Sequence, residues 1–165
     1  MYNNSNPWNT NDILIRNGGL DMLKKVITEI KQQLELVNII NFQINEQKLL
    51  QLYDEMIMHS LNPEHYFSYF VSYGLLLLHL EMHNQLSNWS NKDECSDIIL
   101  YGDLFYSLYY EYSAKNTFSL IHHNVARNLQ SIEIQALHHQ NSSTYLLNTW
   151  INIMKQEELD DELFS

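Results

Sequence analysis

The sequence predicts an all-α fold, a single-domain bundle of about six helices. Three observations carry that prediction. Gly and Pro are scarce, at 4 and 2 of 165 residues, which disfavours the tight turns of sandwiches and barrels. Apolar residues recur at helical spacing through most of the chain. The segments between these runs are rich in Asn and Ser, as loops and helix caps require. A length of 165 residues with 45% hydrophobic content suits one domain with a core of its own.

The elements follow in order. Residues 1–20 read as a polar, flexible N-terminal segment. Its first stretch, Met1 to Asn11, has no basic and apolar signal pattern. The spacing predicts a first helix from Asp21 to Val37, with Asp21 as N-cap after Gly18-Gly19 and Leu23, Val26, Ile27, Ile30 and Leu34 inward. A second covers Glu46 to Leu61, with Leu49, Tyr53, Met56 and Ile57 inward. Asn62-Pro63 opens a third that runs to Leu86, a cap followed by a proline in the first turn. Its section Phe67–Leu80 is apolar nearly all round. Ser68, Ser72 and His79 interrupt it, so it reads as a buried central helix and not a membrane span.

A polar connection, Asn84–Asp97, leads to a fourth helix capped by Ser96 or Asp97 and ending near Ser113. Leu100, Leu104, Leu108 and Tyr112 form one apolar row there, and Tyr101, Phe105 and Tyr109 a second beside it. A fifth helix starts at Asn116 or Thr117, with Leu120, Ile121, Val125, Leu129, Ile132 and Ala136 inward. A sixth starts at Ser142 or Ser143 and carries Leu146, Leu147, Trp150, Ile151 and Met154. The helical domain is thus 21–157, followed by a frayed acidic tail, 158–165. No repeat or linker divides it.

Charge and composition exclude several function classes. The formal charge of -11 repels a nucleic-acid backbone. Only Arg16 and Arg127 supply guanidinium groups, so no clamp for a diphosphate is evident. The lone Cys95 can form no internal disulfide and agrees with a reducing, cytoplasmic setting. No Ser nucleophile elbow or glycine-rich phosphate loop is present.

Candidate chemistry is sparse. His79 and His83, four apart on one helix, have a spacing that can put two imidazoles on one metal. The adjacent pairs His122-His123 and His138-His139 do not. No HExxH motif accompanies any of them, and the sequence assigns no metal site. Asp160-Asp161-Glu162 reads as a solvated charge run. Gly74, inside the most apolar helix, costs about 1 kcal/mol relative to Ala, which close helix packing or the floor of an apolar groove would explain. The aromatics of the fourth helix exceed what one core face needs, which suggests that part of the helix meets a partner.

The segment from Ile98 to Tyr110 resembles the Gly-Asp helix of the small, non-catalytic subunit (component I) of heterodimeric heptaprenyl and hexaprenyl diphosphate synthases. The match falls on Gly102, Asp103, Ser107, Tyr109 and Tyr110. Leu78 to His83 resembles the family's preceding apolar helix, with His83 at its closing histidine. In the following helix Glu133 matches the family's Asn-Glu-x-Lys ending, while Ile132 and Gln135 stand in the Asn and Lys places. The likeness covers roughly Asn62 to His139. Catalytic prenyltransferases carry a DDxxD motif on the third helix; here Glu81, His83 and Asn84 stand there, and they do not form a diphosphate-binding Mg²⁺ pair.

The resemblance implies a shortened isoprenoid-synthase-like bundle. It would be a regulatory subunit with no catalytic residue and no cofactor of its own. A DDxxD catalytic partner would bring Mg²⁺ and extend a trans-prenyl diphosphate to hexaprenyl or heptaprenyl length for the menaquinone side chain. The chain would help set that length by shielding the apolar tail, whose burial is worth about 0.8 kcal/mol per CH₂-sized group. Gly74, Leu77, Leu78, Phe105, Leu108 and Tyr109 are the candidates for the product channel or the subunit interface. Such a subunit, purified alone, would be expected to form homodimers. The alternative reading is a helical adaptor or regulator that binds another protein through the same aromatic face, with no role in isoprenoid synthesis.

Overall fold

The computed structural model describes residues 10–86, 92–117, 119–137 and 142–165, with side chains described over 15–86, 93–117, 124–135 and 143–165. Met1–Asn9, His138 and His139 lie outside the described residues, as do the side chains of Leu120, Ile121, His122, His123 and Ala136. Six helices and no strand occur among the described residues: α1 (Thr10–Glu35), α2 (Glu46–Met58), α3 (Phe67–Leu86), α4 (Lys92–Asn116), α5 (Ser119–Leu137) and α6 (Ser142–Phe164). The predicted all-α bundle is therefore the observed architecture. None of the helices is long and apolar enough to cross a membrane.

The centre of the bundle is α3. Every residue from Tyr69 to Leu80 is buried, so a helix apolar on all sides is also covered on all sides. Its main neighbour is α4, and α1, α2 and α5 also pack on it. The two central helices run antiparallel: Ser72 near the start of α3 meets Ser113 near the end of α4. His79 farther along α3 meets Gly102 nearer the start of α4. Across the start of α3 lies α6. There the Trp150 indole N–H donates to the Tyr69 carbonyl at 2.8 Å, and the Tyr66 hydroxyl donates to the Met154 carbonyl at 3.2 Å.

Several boundaries differ from expectation for physical reasons. The first helix starts at Thr10, so residues 10–20 are helical and Asp21 caps nothing. Gly18 and Gly19 do not stop α1; they let it approach α2. A Cβ on Gly18 would lie 3.1 Å from the Tyr53 hydroxyl, and one on Gly19 2.9 Å from its ring. At the C-termini of α1 and α2, left-handed residues end the helices early. Asn38 (φ 62) and Ser60 (φ 59) occupy that position. The following amides reach back, Ile39 to the Leu34 carbonyl and Leu61 to that of Met56, which is the Schellman arrangement. Val37 and Leu61 therefore lie past their helices.

The cap at Asn62 is present as a side-chain bond to the Glu64 amide at 3.0 Å, but a turn separates it from regular helix, which begins at Phe67. The fourth helix begins at Lys92, ahead of the predicted Ser96 or Asp97. Asp93 and Glu94 in its first turn favour that extension. The acidic end is also helical, to Phe164.

Candidate functional site

A group of polar side chains lies where α3, α4 and α5 meet. The His79 ring is buried, with Nδ1 2.8 Å from the Gly102 carbonyl oxygen and Nε2 2.9 Å from Glu133 Oε1. The carbonyl can only accept, so Nδ1 carries a proton. The other ring nitrogen, Nε2, faces the Glu133 carboxylate. One helical turn on, the half-buried His83 ring lies 4.2 Å from that of His79, centroid to centroid. Tyr106 flanks His79 at 5.2 Å on the α4 side. Burial, and then the neighbouring His79, push the His83 pKa down; the carboxylates of Glu133 and Asp103 oppose them.

Gly102 explains how the cluster closes. It is buried in α4 against α3, and a Cβ there would lie 3.0 Å from His83 Cδ2 and 3.2 Å from its Nε2. Any side chain would crowd the ring. The buried stripe of α4 runs through Ile98, Gly102, Phe105, Leu108, Tyr109 and Tyr112. Both predicted rows hold in their later parts, at Phe105, Leu108, Tyr109 and Tyr112, and fail at the start, where Leu100 and Tyr101 are exposed and Leu104 is half-buried.

Of the motif residues of the resemblance, Tyr109 is buried in the core and the others divide between two places. His83, Gly102 and Glu133 join the cluster. Asp103, Ser107 and Tyr110 lie on the exposed side of α4. Well inside α4, Asp103 has no capping role, and the Ser107 hydroxyl donates back to the Asp103 carbonyl at 2.9 Å. Leu100, Asp103, Ser107, Tyr110 and Ala114 are all exposed, and their alternating spacing of three and four draws one seam along the helix. Leu100 is 67% and Tyr110 57% exposed.

The six channel or interface candidates fall elsewhere. Gly74, Leu77, Leu78, Phe105, Leu108 and Tyr109 are all buried in the chain's own core. Gly74 is a packing position: its Cβ would collide with Ile30 Cδ1 and lie 3.4 Å from Leu49 Cδ2. Of the six, Leu108 also borders a groove, of about 480 Å³, beside Val37 and Tyr112. A larger groove of about 870 Å³ between α1, the following loop and the end of α3 is polar, with Lys31, Asn41, Asn45 and Glu81 in its wall. Glu81 is held there by Lys48 at 3.3 Å and Asn45 at 3.1 Å.

Sequence reading missed the joining of His79 to Glu133, and the place of Tyr106 beside them. The available signal was a histidine inside an otherwise apolar helix, where burial demands partners. No protein-family model, no curated protein and no solved structure matches this chain.

Proposed function

We propose that this chain is a non-catalytic, cytoplasmic subunit of a two-component trans-polyprenyl diphosphate synthase, serving the menaquinone side chain. The observation that carries the reading is the meeting of His83, Gly102 and Glu133. The resemblance names these three on separate helices, and all lie in one cluster. An accidental likeness of short segments gives no reason for them to meet. The position of Glu81 agrees with a non-catalytic part, since its carboxylate is engaged by Lys48 and Asn45. The catalytic partner would supply the Asp-rich motifs and Mg²⁺.

The contact surface in this reading is the outer seam of α4, Leu100 to Ala114, and not the buried residues behind it. Seam spacing suits an apposed helix, and exposed Tyr110 is the residue type that anchors interfaces. Of the earlier channel candidates, Leu108 keeps a path to a groove and is the one that could touch a prenyl tail. The test mixes the chain with its cognate DDxxD subunit, Mg²⁺ and labelled isopentenyl diphosphate. A complex and a gain of hexaprenyl or heptaprenyl product are expected, with Leu100→Ala/Tyr110→Ala losing both. No complex and no gain would reject the reading. A complex that leaves product length untouched would favour the adaptor reading, which the same exposed seam serves. Leu108→Ala in a folded complex should alter product length; an unchanged distribution removes its channel role.

A further inference from the structure

The geometry points to a metal site: we propose that His79, His83 and Glu133 bind a divalent transition ion of the zinc class. The claim stands independently of any catalytic partner and can be tested on the chain alone. One candidate ligand atom from each residue can be chosen so that all lie within 4.8 Å of one another. Two come from successive turns of one helix and the third from α5, so the site is fixed by packed elements. The Gly102 carbonyl occupies His79 Nδ1 at 2.8 Å. That leaves Nε2 as the coordinating atom, and a backbone carbonyl on the other nitrogen is a usual support for a ligating imidazole.

Nε2 already points at Glu133 Oε1, 2.9 Å away. Ligand atoms around a tetrahedral zinc with bonds of about 2.0 Å stand about 3.3 Å apart. The pair must therefore open by only a fraction of an ångström. The missing side chain at Gly102 makes room for the His83 ring. Access is available from the α5 side, because the Glu133 side chain is 32% exposed while that of His79 is 4% exposed.

Two imidazoles and one carboxylate select zinc-like ions over Mg²⁺ and Ca²⁺, which prefer all-oxygen shells. Three protein ligands leave a fourth position for water. Ligating imidazoles and carboxylates must be free of protons, so binding competes with protons and weakens in acid. It would also tie α3 to α5.

The experiment strips the full chain with chelator, then titrates it with Co²⁺ and follows visible absorption, with Zn²⁺ as competitor. Expected are stoichiometric Co²⁺ binding with the intense bands of a low-coordinate site, displacement by Zn²⁺, and a raised Tm with either ion. Glu133→Gln should weaken binding about tenfold or more. It is the preferred variant because its amide N–H can donate to His79 Nε2 and preserve the fold. His83→Ala is the second, with circular dichroism confirming the helices. Absence of Co²⁺ binding by the wild type overturns the proposal. So does equal binding by wild type and by folded Glu133→Gln and His83→Ala, which would move the ion to other histidines. Equal affinity for Mg²⁺ would overturn the stated ion class.

Discussion

The two ends of the α3–α4 pair treat buried polarity in opposite ways. Where α3 begins and α4 ends, polar atoms close on one another. Ser113 donates to Ser72 at 2.8 Å, both fully buried, and Trp150 donates to the Tyr69 carbonyl. Tyr73 and Tyr109 pack on the Trp150 ring at 5.7 and 6.3 Å. At the opposite end, His79, His83 and Glu133 offer more donor and ligand capacity than their mutual bonds consume. The first arrangement specifies one packing. The second leaves chemistry unspent, and a protein keeps buried ionisable groups close together at a cost unless they bind something or fix a unique contact.

The largest expected effect tests whether stability resides at the closed end. Trp150→Ala removes a fully buried indole and its hydrogen bond to Tyr69, and should cost about 3–5 kcal/mol. His79→Ala removes a smaller ring and leaves the Gly102 carbonyl and Glu133 without it. Because Glu133 can turn to solvent, the cost should be about 1–3 kcal/mol. Urea unfolding of both variants gives the comparison. An equal or larger loss at His79 would show that the polar cluster, not the Trp150 packing, holds the bundle together.

The two buried glycines of the pair, one toward each end, give the next contrast. Gly74→Ala drives a Cβ into Ile30, which is itself fully buried, and should cost about 1–3 kcal/mol. Adding Ile30→Val, which deletes the colliding methyl, should recover most of that loss; failure to recover would mean the strain lies in the backbone. Gly102→Ala meets a half-buried His83 ring that can swing outward, and gains about 1 kcal/mol of helix propensity. Its net effect on stability should stay within about 1 kcal/mol, while Co²⁺ binding falls because His83 is displaced. Unchanged Co²⁺ binding would separate His83 from the site.

How much of this was legible depends on the kind of signal. Helix identity was legible because periodicity and Asn-rich joints are local; α2, α3 and α6 lie close to where spacing put them. Which way α4 faces from Leu100 to Leu104 was not. Leu100, Leu104 and Tyr101 are as apolar as Phe105 and Leu108, so composition offers two faces and only the partner helix decides. Gly18-Gly19 misled in the same way, since a glycine pair reads as a break until Tyr53 is seen against it. His79 and His83 were recognisable as an i, i+4 pair. Their carboxylate was not, because Glu133 lies fifty residues on and nothing local distinguishes it from other glutamates. The resemblance named Glu133 from motif likeness, and packing then brought it to His79.

Glu157 departs from the pattern at the closed end, and it supplies the smallest prediction. Glu157, the last residue of the predicted helical domain, is buried on α6 and accepts through Oε1 from the Tyr69 hydroxyl. Its Oε2 is buried with no hydrogen-bond partner among the described residues. Burial pushes the Glu157 pKa above the ordinary carboxyl value of 4.5, with Asp161 and Asp160 adding to it and the Tyr69 bond and His65 opposing. A carboxyl whose folded pKa is raised binds a proton that the unfolded chain has already released. Stability therefore falls as pH rises from the unfolded value through the folded one, and stays lower above it. Glu157→Gln keeps an acceptor for Tyr69 and removes the charge. The variant should be more stable than wild type at pH 7, and its advantage should shrink as pH falls through the raised folded pKa toward 4.5 and stay constant below that, measured as the difference between paired urea curves. A difference that does not change with pH would mean that Glu157 is ionised as readily in the fold as outside it. The start of α3 would then be open to water, and the contrast between the two ends would be lost.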